Sequence, residues 1–387
     1  MKINEKDLEL IVHNLIIGED FNNDDLECNN TRESIINIVI LLYQEMNTIT
    51  NIEDLKELID TLLYRRIIVD CPEYNDDDLL QLTNTIESLK KIPQPAQRTD
   101  EWYTFRNNRL TASDLATAID KNPYSTRNKL ILNKCGIKEN WNPGPAVIHG
   151  QKYEDVAIAI YQSRNDLVIE EYGCLPHPNI RCFGASPDGI VDSISNNKNY
   201  IGRMLEIKCP TKRNITGFIP KYYYYQVQGQ LEVCDLDYCD FLECKISEYN
   251  SREEYFKDGD FDYTQKLSEK GIVMDIYNYQ LEKTTYIYAD LGITYDEFIK
   301  WENNNIDLIL EDDNLEYIQT SFWKLDEYNC LLIKRDKIFW NNITPKIIGF
   351  WNDVLKYRDK GHEELLPKKK RCINRKKNEL NFLDDSD

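Results

Sequence analysis

Apolar positions recur at helical spacing through the first part of the chain. Leu8, Ile11 and Leu15 form one stripe, Leu55, Leu58, Ile59 and Leu62 a second, and Leu79, Leu82, Ile86 and Leu89 a third. Stretches rich in Asn and Asp, such as NNDDLECNNT and YNDDD, separate them. This predicts a small helical domain over residues 1–92. Lys91 to Asp100 (KIPQPAQRTD) carries two prolines two residues apart, which stops a helix and predicts a linker over 93–100.

Beyond the linker the period changes. Trp102 to Arg106 opens a helix, and TASDLATAI opens another with Thr111 or Ser113 as N-cap. GQKYEDVAIAIYQ makes a third, with Glu154, Ala157, Ile158 and Tyr161 on one face. Strand-like runs follow at Val168–Glu171, Ile190–Val191 and Met204–Cys209, then a helix over KYYYYQVQGQLEV and a strand over CDFLECKI. Helix, hairpin, helix, strand is the order of an α/β domain with a mixed sheet, expected over residues 101–248. Residues 249–366 read as a C-terminal extension, with strands at TTYIYADL and NCLLIKRD and a long helix from Phe339 to Tyr357 carrying Trp340, Phe350 and Trp351. Residues 367–387 (PKKKRCINRKK…) read as a charged, disordered tail, either a nuclear address or a loose tether for nucleic acid.

Composition narrows the chemistry. The chain of 387 residues is 41% hydrophobic, enough for a sizeable core. The longest apolar run, Ile35 to Tyr43, is too short for a membrane span, and the acidic N-terminus lacks a signal-peptide pattern, so an intracellular setting is expected. Eleven cysteines without a C-x-x-C pair suggest reduced thiols. Cys234, Cys239 and Cys244 repeat every five residues, but an iron–sulfur cluster is disfavoured because Cys239 and Cys244 fall on opposite faces of one strand. Four histidines without Cys partners at ligand spacing argue against a zinc enzyme, and no G-x-x-x-x-G-K-[ST] loop is present for an ATP motor. The net charge of −20 excludes a general nucleic-acid coat. Residues 1–96 hold 8 basic and 20 acidic side chains, whereas 97–248 hold 18 and 19, so any basic groove belongs to the middle segment.

GASPDGIVDSISNNKNYIGRMLEIKCP, from Gly184 to Pro210, concentrates the candidate chemistry. Glu206 and Lys208 share a face of one strand, and a hairpin at SNNKN would bring Asp188 beside Glu206. Two converging carboxylates repel unless a cation lies between them. Mg²⁺ is the expected ion, with Mn²⁺ as its substitute, and Lys208 could orient a water or stabilise charge developing on a phosphate. Alone, an acid-x-Lys triplet is most often a solvated strand edge. The apolar MLEIKCP setting and the PDG step at hairpin distance shift that balance.

Four blocks in order, EWYTFRNNRLTASDLA, HGQKYEDVAIAIY, GASPDGIV…LEIKCP and YYQVQGQLEV, resemble the lambda-type exonuclease and YqaJ-like viral recombinase branch of the PD-(D/E)xK nucleases. The resemblance covers about 97–248, with a further stretch of likeness at KRDKIFWNNITPKIIGFW later in the chain. It implies an α/β, restriction-endonuclease-like core with a mixed central sheet flanked by helices, here with a helical N-terminal domain added. It also implies a Mg²⁺-dependent deoxyribonuclease, working 5′-to-3′ on duplex DNA ends in viral recombination or repair. Asp188, Glu206 and the Ile207 carbonyl match its metal ligands, Lys208 its catalytic lysine, and Glu154 a helical acid near the metal, through a water. Arg106 and Ser113 match residues that hold a 5′ phosphate, and Tyr223 and Gln226 lie on a helix face near the site, with Gln230 one turn on. An annealing protein or helicase is an implied partner, and oligomers occur among relatives. Asn108 stands where the family often has Gly, at a turn that Asn could make in a left-handed conformation. A structure-selective endonuclease and a non-catalytic DNA-binding scaffold are the alternatives.

Overall fold

The computed structural model describes residues 29–45, 52, 55, 56, 59, 72–137 and 143–366. The stripe at 8, 11 and 15, positions 58 and 62, and the basic tail lie outside them. α1 (Asn29–Glu45) buries Ile35, Ile36, Val39 and Ile40. α2 (Asp76–Lys90) starts at a capping box, in which Asn75 accepts from the Asp77 and Asp78 amides and Asp78 accepts from the Asn75 amide. Its stripe of Leu79, Leu82, Ile86 and Leu89 lies against the main core, where burying Ile86 or Leu89 contributes about 1.5–3 kcal/mol each.

α3 (Asp100–Asn107) is capped by Thr99 and leads into β1 (Leu110–Thr111). The cap expected at Thr111 or Ser113 does not form: a short 3₁₀ turn at Ala112–Asp114 intervenes before α4 (Leu115–Ala118), and the Thr111 hydroxyl bonds to Ser113 and Asp114 instead. Asn108 has φ −92°, not a left-handed value, and its side chain donates to the Thr104 carbonyl, closing the turn in an ordinary conformation. α5 (Arg127–Lys134) and α6 (Pro145–Asn165) follow; α6 opens on Gly144-Pro145, where a missing amide costs nothing, and ends at left-handed Asp166.

The strands are β2 (Ile169–Glu170), β3 (Leu175–Pro176), β4 (Phe183–Ala185), β5 (Gly189–Val191) and β6 (Met204–Lys208). Then come α7 (Lys221–Cys234), β7 (Tyr238–Glu248), α8 (Arg252–Lys257), β8 (Lys270–Asn278), β9 (Lys283–Tyr288), α9 (Tyr295–Glu311), β10 (Leu315–Lys334) and α10 (Lys337–Lys360). The fold is a mixed α/β architecture. Seven strands pair in the order β2-β5-β6-β7-β10-β8-β9, and β1-β4-β3 form a small second sheet. Among the described residues, β6 and β7 are the one parallel pair of the large sheet, joined through α7 as a parallel pair requires. β10 is long enough to pair with β7 along its C-terminal part and β8 along its N-terminal part.

The sheet separates two cores. On one side α2, α4, α7 and α10 pack over Met204 and Phe241 of the sheet, with Trp340 of α10 in the same core. On the other, Tyr153, Ala157, Ile160 and Tyr161 of α6 pack over Leu205, Ile207, Leu242 and Trp323. Strand alternation therefore sends Leu205 and Ile207 toward α6 and aims Glu206 at α7. α7 approaches closely because Gly229 has no side chain: a Cβ there would sit 3.0 Å from the Phe183 ring and 3.2 Å from Ala112.

Candidate active site

β5 and β6 pair antiparallel, with Gly189 opposite Leu205. One step outward, Asp188 comes beside Glu206, and its Oδ2 accepts from the Ile207 amide at 2.7 Å. Glu206 is 0% exposed, yet fully partnered. Gln226 and Gln230, one turn apart on α7, donate to its two oxygens at 2.6 Å each, and Lys208 donates to Oε1. Gln230 also donates to the Ser186 carbonyl at 3.2 Å, tying α7 to the PDG segment. Lys208 lies 4.9 Å from the centre of the Tyr223 ring, over whose other neighbourhood Arg213 extends from the β6–α7 loop to Glu243.

Glu154 projects from α6 into a cavity of about 360 Å³ that also contains Asp188, Asp155, Glu171 and Arg98. Arg98 Nη2 donates to both Glu154 oxygens at 3.0 Å. Burial, then the charges of Glu206 and Glu154, hold the Asp188 carboxyl well above the usual range, against Lys208 and the Ile207 amide. Burial likewise lifts Glu154, opposed by Arg98 and Lys208 and reinforced by Asp155 and Glu206. Burial pulls the Lys208 ammonium down, but Glu206 and Asp188 outweigh it and keep the amine charged. These acids sense one another in a low-dielectric setting, and an oxygen-seeking cation between them would relieve the repulsion. The donor set thus fits a hard divalent ion. Among the described residues, no three His, Cys, Asp or Glu side chains stand in a ready ligand shell. Gln226, Gln230, Lys208 and Arg98 hold the oxygens that such an ion would use.

Arg106 and Ser113 form a second group. Arg106 Nη2 donates to Ser113 Oγ at 2.9 Å, and its guanidinium lies 4.2 Å from the centre of the Trp102 ring. Trp102 Nε1 in turn donates to Ser186 Oγ at 3.2 Å, linking this pair to the segment between β4 and β5 that carries Asp188. Gln230 and Arg98 are the contributors that sequence reasoning left out of the site. Gln230 was visible only as one helical turn beyond Gln226, and Arg98 sits in a proline linker that has no period to read.

The cysteine repeat does not gather. Cys234 and Cys239 lie in the core under α7, Cys244 in the core under α6, and all three are free thiols. No helix among the described residues is long and apolar enough to cross a membrane.

Residues 101–237 match the YqaJ-like viral recombinase domain. An uncharacterized protein of Acanthamoeba polyphaga mimivirus is 34% identical over 324 residues, covering 76% of this chain and 58% of that protein. A protein of African swine fever virus is 28% identical over 165 residues, or 35% of this chain and 46% of that one. The chain spans about half the length of these relatives. Among solved structures, an alkaline exonuclease from Laribacter hongkongensis aligns with 69% of this chain and 97% of its own, at 19% identity and a TM-score of 0.40.

Proposed function

We propose, from the place of residues 101–237 in the YqaJ-like viral recombinase family, that this chain is a metal-dependent deoxyribonuclease acting on the ends of duplex DNA in viral recombination. The observation that carries this reading is the buried Glu206 at the junction of Asp188, Lys208 and the two α7 glutamines. Burying a carboxylate is costly unless it is paired, and a lysine and two glutamines committed to Glu206 beside a second buried acid mark a candidate functional site.

Asp188, Glu206 and the Ile207 carbonyl, with Glu154 through a water, would hold Mg²⁺, or Mn²⁺ in its place. Bound there, the ion would acidify a water and screen the phosphate's negative charge. Lys208 presents an ammonium to the reacting phosphate and stabilises charge that grows on its oxygens. Gln226 and Gln230 fix the rotamer of Glu206, so the carboxylate needs little reorganisation. Arg106, steadied by Trp102 and paired with Ser113, offers a planar cation to a terminal 5′ phosphate and would set a 5′-to-3′ direction. Tyr223 packs beside Lys208 and limits where the strand can run.

The test incubates pure protein with linear duplex labelled at the 5′ or the 3′ end, and with a closed circle, with and without Mg²⁺. The reading expects release of nucleotides from the 5′ end of linear duplex only, and only with the ion. Cutting of the circle would favour a structure-selective endonuclease. No cleavage of any substrate with Mg²⁺ or Mn²⁺ would favour a non-catalytic scaffold.

A further inference from the structure

The linker before α3 is fastened across the acidic cavity. Gln94 Oε1 accepts from the Gly173 amide at 2.7 Å, and Gln97 Nε2 donates to the carbonyls of Tyr172 at 2.9 Å and Pro187 at 3.3 Å. Gly173 is required for this contact, since a Cβ there would lie 2.0 Å from the Pro95 carbonyl oxygen. Next in sequence, Arg98 turns its backbone left-handed, at φ 66°, and reaches Glu154. A non-glycine residue adopts that conformation at a cost, so the surrounding contacts must hold it there. Arg98 is the sole basic side chain among the described residues lining a cavity that holds Glu154, Asp155, Glu171 and Asp188. Its side chain is 38% exposed and that of Glu154 25%, so the pair sits at the mouth and can open without unfolding the core.

We infer that Arg98 is a positioning residue acting through Glu154: it occupies both carboxylate oxygens as a tethered surrogate cation and thereby limits how tightly the site takes a free divalent ion. The inference rests on the nuclease reading above. A guanidinium held on both oxygens of a carboxylate must leave, or share them, before that carboxylate can help to bind an ion. The linker thus lowers the ion's affinity while keeping the acids from being left uncompensated when no ion is present.

The test is calorimetric titration of MnCl₂ into the full chain without DNA, so the readout is independent of cleavage. Arg98→Gln should bind Mn²⁺ about tenfold more tightly than the unmodified protein, within the usual range of coupling between two sites. Arg98→Lys, which keeps a charge of similar reach, should return affinity toward the unmodified value. In a Glu154→Gln background, Arg98→Gln should change affinity little, because the effect runs through that carboxylate. Equal or weaker binding by Arg98→Gln, a lysine variant as tight as the glutamine variant, or full tightening in the Glu154→Gln background would each overturn the inference. Asp188→Asn separates this from the underlying reading. If the unmodified protein binds Mn²⁺ through Asp188 but Arg98→Gln binds no tighter, only the role of Arg98 falls. If Asp188→Asn titrates like the unmodified protein, the metal site itself is wrong, and the inference falls with it.

Discussion

A carboxylate such as Glu206 earns its place in an apolar core only through its partners. Three groups donate to it from two elements: Lys208 from its own strand, and Gln226 and Gln230 from α7. Loss of Gln230 would take the donor from the buried Oε2, whereas Oε1 keeps Lys208 when Gln226 is lost; the former defect is worth about 1–3 kcal/mol. Arg106 carries a different burden. Its guanidinium donates to Ser113 and stacks on Trp102, and its charge also helps to hold the neighbouring Asp114 carboxyl below its ordinary value. Arg106→Ala should slow cleavage more on 5′-phosphorylated ends than on 5′-hydroxyl ends, measured as initial rates on matched duplexes. Equal losses would make Arg106 a general DNA contact.

Elements fix where these side chains stand. The hairpin β5–β6 and the helix α7 were legible because strand parity and the i, i+3, i+7 spacing of Tyr223, Gln226 and Gln230 survive in the sequence. β8 was not, because Lys270 to Ile276 is buried on both faces and shows no alternation. Nor was the full length of β10, whose charged residues Lys324, Asp326 and Glu327 break the apolar run at a bulge. α9 was hidden by its run of asparagines, although Thr294 and Glu297 form a capping box. α2 is tied to the sheet by Lys90, whose ammonium meets Asp192 just after β5. Burial raises the Asp192 carboxyl, but Lys90, the Ile194 amide and Ser193 together bring it below its ordinary value. A depressed carboxyl stabilises the fold above its unfolded pKa of about 4, and that contribution is lost as pH falls through the folded value. The melting temperature of Asp192→Asn should therefore trail that of the unmodified protein at pH 7, and the gap should shrink below about pH 4. A gap unchanged with pH would assign the effect to packing. At Gly173, substitution by Ala would drive a methyl into the Pro95 carbonyl and should cost about 1–3 kcal/mol in urea unfolding. An unchanged midpoint would mean the linker is not held there.

At the scale of the whole molecule, the proposed activity requires DNA to reach a site inside a protein of net charge −20. Attraction has to be local, and the basic run Lys368 to Lys377 is the densest positive stretch in the sequence. Truncation after Leu366 should weaken DNA affinity at low salt, flatten its salt dependence and leave turnover at saturating DNA unchanged. Loss of turnover at saturation would place the tail in the active fold. The extension after residue 248 supplies β8, β9 and β10 to the same sheet that carries Glu206, and Lys152, two residues before Glu154, bonds Glu248, Asp275 and Ser321 across it. The site is thus braced by parts of the chain that lie outside the matched domain. The central claim is that Asp188 and Glu206 form one hydrolytic centre, and it is tested most directly by comparing Asp188→Asn with the unmodified protein on end-labelled linear duplex in Mg²⁺. The account predicts that the variant releases no nucleotide above background while melting no lower than the unmodified protein, because removing one of two crowded charges relieves repulsion. Release at the unmodified rate by a folded Asp188→Asn would contradict it.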